Sequence, residues 1–181
     1  MPEFKVFTQI RAPYDKVWEL ASVVENIEKW SPVKFTAAAS EEKIRNGLKL
    51  KQVKQQFGLF KKDLVLKDAY MNSKVRRQYS FVDAEDTFGF NRITYMFDDN
   101  SISTMIALSE DKEAREVMKE QAKNEPEFQI DVMAHVFYTY GSNFWRQAIE
   151  WGIINPFFSL FYKGKVVRSL KKLKEMSEKG V

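Results

Sequence analysis

The C-terminal segment Asn155–Val181 constrains the fold more than any other part of the chain. It opens with an aromatic run at 156–162 and continues as a helix with one apolar face and one cationic face. The apolar positions are Val166, Val167, Leu170 and Leu173, and the opposite positions are Lys165, Arg168 and Lys172. Because several strand-like segments precede this helix, we expect it to bury its apolar face against a sheet.

The positive charge of the protein is concentrated in this helix. Residues 163–181 carry seven Lys or Arg and two Glu, a net charge of +5, whereas the whole chain is +4. Basic residues elsewhere alternate with acids, and no nucleic-acid-binding signature occurs, so we expect no nucleic-acid partner. The charge run is interpreted as a solvated helix face. Peripheral contact of this aromatic and basic region with an anionic membrane or a protein is an alternative.

Composition is typical of a folded chain with a large interior. The 181 residues suit one domain, expected at 1–181 with an insertion at about 99–126. Fifteen Phe against seven Gly predict an interior of large side chains, either solid or enclosing a ligand. The absence of cysteine excludes disulfides, thiolate metal sites and thiol nucleophiles. No signal peptide or bilayer-spanning stretch is recognised, and we expect a cytoplasmic protein of unknown oligomeric state.

Strands are predicted wherever apolar and polar residues alternate. They cover 3–11, 33–44, 48–57, 61–70, 74–82, 89–98 and 128–140, with Asn46-Gly47 as a tight hairpin turn. Short connections between them favour an antiparallel sheet. The last strand places Phe128, Ile130, Val132, Ala134, Val136, Tyr138 and Tyr140 on one face.

Helices are predicted from capping residues and apolar periodicity. Ala12-Pro13 opens the first, a second covers Glu25–Trp30, and Ser142–Glu178 is helical with an interruption at Asn155-Pro156.

Within 99–126 the pattern is weaker. We interpret Ile102–Leu108 as a strand or extended loop. Ser109 is predicted to be the N-cap of a polar helix from Glu110 to about Lys123.

The order of elements predicts an α+β protein. One strand, two short helices, an antiparallel run and a long terminal helix fit a curved antiparallel sheet wrapped around that last helix. Such an arrangement leaves room for a cavity between the sheet and the helix.

Three short motifs and the C-terminal region resemble a known superfamily. The motifs are Ala12–Trp18 (APYDKVW), Trp30-Ser31-Pro32 and Asn46-Gly47, and the closing region is Val132–Tyr140 with Ser169–Glu175. Together they resemble the polyketide cyclase/dehydrase and START-related superfamily (SRPBCC), the helix-grip proteins that include the birch-pollen allergens. The resemblance implies a hydrophobic cavity between the sheet and the terminal helix, used in relatives for lipids, hormones, quinones or polyketides. No catalytic motif of the superfamily is recognised in this chain. A shared fold does not by itself imply a shared function.

Residue types that carry catalysis or bind metals are scarce. His135, the single histidine, has the opposite strand parity to Val132, Ala134 and Val136, so it is expected to point outward. No nucleotide, hydrolase or metalloprotease motif occurs. The acidic clusters near 83–86 and 98–99 fall at predicted turns. No cofactor, metal site or catalytic residue is therefore expected.

The predicted ligand-binding residues are mostly aromatic. They are Leu50, Leu66, Arg77, Tyr79, Phe81, Tyr95, Phe97, Tyr138, Phe157 and Phe161. Arg77 shares strand parity with Tyr79 and Phe81; its partner is either a ligand anion, an internal acid or solvent at the sheet rim. The tyrosines either orient a ligand through their hydroxyls or simply pack in the core.

The favoured function is non-catalytic binding or transport of a small hydrophobic ligand, such as a lipid, quinone or polyketide. A first alternative is a polyketide cyclase or dehydratase in which Arg77 and tyrosines stabilise enolate charge. A second is an interaction module that docks through its C-terminal region. An enzyme is the less favoured class, because no general base is evident.

Overall fold

The structure is a computed structural model that describes residues 3–30, 34–37, 43–45, 48–57, 60–73, 76–83, 90–123, 126–138, 144–149, 152–153 and 155–179. The strands are β1 (Glu3–Ile10), β2 (Lys34–Ala37), β3 (Lys43–Arg45), β4 (Leu48–Phe57), β5 (Phe60–Ser73), β6 (Arg76–Asp83), β7 (Phe90–Asp99) and β8 (Ile130–Tyr138). The helices are α1 (Tyr14–Ser22), α2 (Val24–Trp30), α3 (Ile102–Leu108), α4 (Lys112–Gln121), α5 (Phe144–Ile149) and α6 (Asn155–Glu178).

The strands form one antiparallel sheet in the order β1-β8-β7-β6-β5-β4-β2, and β3 also pairs with β4. Consecutive strands from β4 to β8 are neighbours: short connections join β4 to β7, whereas β7 is joined to β8 through α3 and α4. The first strand closes the order by pairing with the last, Val6 opposite Ala134 and Ile10 opposite Ile130. This α+β architecture, with two short helices after β1 and a long terminal helix, confirms the predicted fold class.

The inner face of the sheet, defined here as the face packed against α1, α2 and α6, carries the core. One row across it runs Val6, Ala134, Tyr95 and Tyr79, and the next runs Phe4, Val136, Ile93 and Phe81. All except Phe4 are buried. Because side chains alternate along a strand, the residues between them point to the opposite, outer face.

Helix α6 faces the sheet with the stripe that its sequence predicts. Tyr162, Val166, Leu170 and Leu173 are buried in the same core cluster as the inner-face strand residues. Val167 departs from the prediction, because it is exposed on the far side of the helix. Burying three aliphatic side chains of this kind stabilises the fold by roughly 1.5–3 kcal/mol each.

The far end of α6 is fixed to the start of α1. The Arg11 amide donates to the Glu178 carboxylate (2.8 Å), and the Lys16 ammonium donates to the Lys179 carbonyl (3.0 Å). The second bond places a cation on a carbonyl just beyond the helix C-terminus, where the helix dipole favours positive charge. The C-terminal half of α6 is thereby held against the β1–α1 connection.

The segment 99–126 differs from its prediction. Ile102–Leu108 is the helix α3, not a strand or loop. The N-cap of α4 is Asp111, not Ser109: its carboxylate accepts from the amides of Glu113 (2.8 Å) and Ala114 (3.4 Å). A carboxylate at the N-cap satisfies helix donors and complements the dipole more strongly than a hydroxyl does.

Candidate functional site

The inner-face aromatic cluster, defined by Trp18, Trp30, Tyr79, Phe81, Tyr95 and Phe97, is the candidate ligand site. Strands β6 and β7 supply four of its rings in adjacent register, Tyr79 opposite Tyr95. Helices α1 and α2 supply the two indoles. The rings of Tyr79 and Tyr95 lie 5.3 Å apart, and that of Trp30 meets Tyr95 edge to face at 5.5 Å.

Two of the four hydroxyl and indole groups in this cluster are hydrogen-bonded to backbone carbonyls of α1. The Tyr79 hydroxyl donates to the carbonyl of Ala21 at 2.6 Å. The Trp30 indole nitrogen donates to the carbonyl of Leu20 at 3.0 Å. Both bonds satisfy carbonyls in the last turn of α1, which have no partner within the helix. These two groups therefore act as structural ties.

The hydroxyl of Tyr95 differs from these two. The residue is 5% exposed, and burial raises the pKa of its phenol, so it is neutral at physiological pH. Among the residues that the structure describes, no hydrogen-bond partner of this hydroxyl is found. The buried side-chain atom that lacks a partner among the described residues is Ser177 Oγ and not this hydroxyl. The Tyr95 hydroxyl is therefore available to bond to another molecule.

Tyr95 is packed on both sides along the inner face. On the Phe97 side, toward α1 and the end of α6, the residues Ile10, Phe97, Ile130 and Leu173 are completely buried. Trp18 covers this side by meeting Phe97 edge to face at 5.5 Å. On the other side, Phe81 and Ile93 are each 2% exposed.

Arg77 contacts residues of α1 at the rim of the sheet. Its guanidinium lies over the rings of Tyr14 (4.9 Å) and Trp18 (5.6 Å), and Nη1 bonds to Asp15 Oδ1 at 3.2 Å. The side chain is partly exposed at the sheet rim and uses an acid of α1. The rim interpretation of Arg77, left open by the sequence, is thus the one that its contacts support.

The remaining predicted site residues are distributed as follows. Tyr79, Phe81, Tyr95 and Phe97 come together on the inner face, whereas Phe161 is 61% exposed on α6. Exposure places Phe161 away from any enclosed cavity wall. Leu66 pairs with Phe81, and Leu50 lies on β4, but the side chains of Leu50, Leu66, Tyr138 and Phe157 lie outside the described residues.

Trp30 belongs to the site, although it was not among the residues predicted to bind a ligand. Its indole is 1% exposed and contacts Tyr95 directly. The signal in the sequence is its position at the end of α2, immediately before Ser31-Pro32. That position alone does not fix which strand residue the indole meets.

His135 lies on the outer face, as its parity predicts, but it is buried there rather than solvated. Its Nε2 is 2.8 Å from Glu3 Oε2, and its ring lies 3.7 Å from that of Phe137. A neighbouring strand residue and an aromatic ring therefore cover it. The described residues contain no group of three or more metal-ligating side chains, and His135 is remote from the inner-face cluster.

Neither a protein-family model nor a curated protein matches this chain. Solved structures do match over nearly the whole length. An aromatase/cyclase from a Streptomyces species aligns at 10% identity and a TM-score of 0.57, covering 98% of this chain and 93% of its own. Ara h 8.0201 aligns at 12% identity and 0.55, covering 97% of each chain. A protein from Thermus thermophilus aligns at 15% identity and 0.55, covering 96% and 95%.

At such low identities the alignments establish the architecture and leave the activity open. They agree with the resemblance carried by the N-terminal motifs and the terminal helix. The antiparallel sheet, the two short helices and the long α6 together give this chain a helix-grip fold.

Proposed function

We propose that this protein binds a small, largely apolar ligand between the inner face of its sheet and α6, without transforming it. The observation that carries the proposal is the hydroxyl of Tyr95, which lies within a cluster of aromatic rings and has no hydrogen-bond partner among the described residues. Binding sites of this class combine apolar walls with a few polar groups that fix orientation. A carbonyl or hydroxyl oxygen of the ligand is the partner that Tyr95 would take.

The site is proposed toward Phe81 and Ile93, because Trp18 of α1 already packs over the Phe97 end of the inner face. It would lie beneath the part of α6 that begins at Tyr162. Tyr162 packs edge to face on Phe4 at 6.3 Å, which continues the aromatic lining to β1. Apolar contact there contributes about 25 cal/mol per Å² of buried surface.

The enzymatic alternative finds no support in the described residues. Its proposed cation, Arg77, is already stacked on two rings and paired with Asp15. The inner-face cluster contains phenols and indoles but no carboxylate or imidazole that would serve as a general base. The likeness to the aromatase/cyclase is one of architecture. We therefore favour a carrier or binding protein over a cyclase.

The test uses native mass spectrometry of the purified protein and titration with a fluorescent apolar probe, 1-anilinonaphthalene-8-sulfonate. We expect an apolar molecule to co-purify, or the probe to bind at one site. Tyr95→Phe should change the affinity by about 3- to 20-fold, the equivalent of one hydrogen bond. Tyr79→Phe is the matched control, because that hydroxyl is already used by Ala21. Absence of both a co-purified molecule and saturable probe binding would overturn the proposal.

A further inference from the structure

Exposed apolar side chains are concentrated in the segment from α5 to the middle of α6. Six of the eleven large apolar residues that are exposed in the described part of the chain lie between 145 and 167. They are Trp145, Ile149, Ile153, Leu160, Phe161 and Val167. Single exposed apolar residues are ordinary, but a group this large within one segment marks an interaction surface.

On α6 these apolar residues share a side with cations. The buried stripe contains Tyr162, Val166 and Leu170. At 100° per residue, Leu160, Val167 and Lys171 lie about 100–140° to one side of the buried stripe, and Phe161, Arg168 and Lys172 lie about 120–160° to the other side. The outward surface of α6 is therefore mainly apolar in its first half, beside Lys163, and mainly cationic in its second half, beside the acid Glu175.

The cations of this surface are not neutralised by the protein. Lys163, Arg168, Lys171 and Lys172 are exposed, and none forms an ion pair with a carboxylate of the described chain. The ion pair seen within α6 joins Lys174 to Glu178 at 3.8 Å. Positive charge is thus available to a partner along about two turns of helix.

We propose that the outer surface of α6, together with α5, docks on the surface of an anionic phospholipid bilayer. Large apolar side chains entering the headgroup boundary while adjacent Lys and Arg contact phosphates is the pattern of interfacial helices. Indole rings such as that of Trp145 favour that boundary. In the described part of the chain no helix is long and apolar enough to cross a membrane, so the contact is peripheral.

A second copy of the chain fits this surface less well. A two-fold contact centred on the apolar half of α6 would cover Leu160 and Phe161 but would leave the cations of the second half without anionic partners, whereas anionic headgroups would neutralise them. A groove of about 580 Å³ between β1 and α6, lined by Phe4, Leu160 and Gly164 among others, extends the apolar surface toward the sheet edge. A fluid bilayer conforms to such a shallow surface without needing a complementary shape.

The experiment is sedimentation with vesicles of phosphatidylcholine alone and with vesicles containing phosphatidylserine. The triple variant Arg168→Glu, Lys171→Glu, Lys172→Glu should lose at least about tenfold in partitioning to the anionic vesicles. Lys5→Glu, Lys29→Glu, Lys112→Glu is the matched control, because it changes the net charge equally at exposed sites elsewhere. The partition coefficient of this control should lie within about threefold of the wild-type value, because only the net charge of the protein changes and not the charge of the docking surface.

A second pair of variants tests insertion of the apolar half. Leu160→Ser with Phe161→Ser should weaken binding that survives high salt, whereas Phe7→Ser with Leu108→Ser, equally exposed elsewhere, should not. The tryptophan emission of the wild-type protein should shift to shorter wavelength on the anionic vesicles, and this shift should be smaller in Trp145→Phe, which retains the other three tryptophans. Circular dichroism verifies that each variant is folded.

Three results would overturn the proposal. They are equal binding to both vesicle types, equal losses in the triple variant and its control, and a dimer that covers α6 without any vesicle binding. Because no step depends on the ligand site, these results leave the proposed ligand binding unaffected, and failure of ligand binding leaves the docking proposal intact.

Discussion

The hydroxyl of Tyr79 donates to the carbonyl of Ala21 across 58 residues of sequence, and this 2.6 Å bond ties the last turn of α1 to the middle of the sheet. Both residues are completely buried. Its neighbour Tyr95, one strand away and 5.3 Å between ring centroids, has no such bond within the described chain. Two phenols in the same cluster are thus set for different tasks.

Tyr79→Phe is expected to lower the free energy of unfolding by about 1–3 kcal/mol, because it leaves a buried carbonyl without its donor. Tyr95→Phe should change it by less than about 0.5 kcal/mol or raise it, since no bond within the protein is lost. Urea denaturation followed by circular dichroism measures both. Equal losses in the two variants would show that Tyr95 has a structural partner.

The Arg77–Asp15 pair is expected to contribute little through its charges. Asp15 is 89% exposed, and pairs this open contribute about 0.2–1 kcal/mol. Asp15→Asn should therefore be nearly neutral. Arg77→Ala should cost more, because it also removes the cation from the rings of Tyr14 and Trp18. A double-mutant cycle in urea measures the coupling; a value above about 2 kcal/mol would contradict the exposed geometry.

Stability should fall in alkali through Tyr14. Burial, partly offset by the charge of Arg77, raises the pKa of this phenol from 10.0 to about 12. Its folded state thus holds the proton more tightly than the unfolded state. The stability that the raised pKa of Tyr14 contributes to the folded state is fully present below pH 10 and is lost as the pH rises through about 12. Tyr14→Phe should flatten the decline of thermal stability over this range.

Tyr95 contributes in the same direction, because burial raises its pKa as well. Tyr95→Phe is therefore the second variant in that experiment, and the double variant should have the flattest profile. Absorbance titration of the phenolates gives the pKa values directly. An unchanged slope in Tyr14→Phe would mean that other groups govern the alkaline transition.

Much of the site was predictable because it depends on strand parity. The alternation of β6 and β8 places Tyr79 and Phe81 on one face and His135 on the other without any knowledge of tertiary structure. Contacts between distant elements were not predictable. Neither the Asp15 partner of Arg77 nor the Trp30 partner of Tyr95 has a local signature.

The errors in 99–126 have local physical causes. Ile102, Thr104 and Ile106 are β-branched and alternate with other residues, which favours a strand by pattern alone. The helix forms because Asp99 holds its start, accepting from the Ser101 amide at 3.0 Å and from the Thr104 hydroxyl at 2.7 Å. Capping by Asp99, three positions before the first residue of the helix, outweighs the weak strand propensity of these β-branched residues.

Gly164→Ala is expected to stabilise the protein by about 0.5–1 kcal/mol. The glycine lies inside α6, where it costs backbone entropy on folding, and an added Cβ would meet no atom within 4 Å. The stability of Gly164→Ser should lie between those of the wild type and Gly164→Ala, because serine has a helix propensity between those of glycine and alanine. Thermal denaturation of the three proteins measures the order. Destabilisation by alanine would indicate that the groove beside Gly164 is occupied in solution.

Ser177→Ala is expected to raise the free energy of unfolding, by about 0.5–1.5 kcal/mol. The serine hydroxyl is completely buried in the last turns of α6 and has no hydrogen-bond partner within the described chain. Alanine removes that uncompensated polar group and is the stronger helix former. Ser22→Ala is the contrasting variant, because its hydroxyl donates to the Trp18 carbonyl at 2.7 Å, and it should gain less. Urea denaturation of both proteins decides; a loss of stability in Ser177→Ala would show that a bound water or ligand uses this hydroxyl.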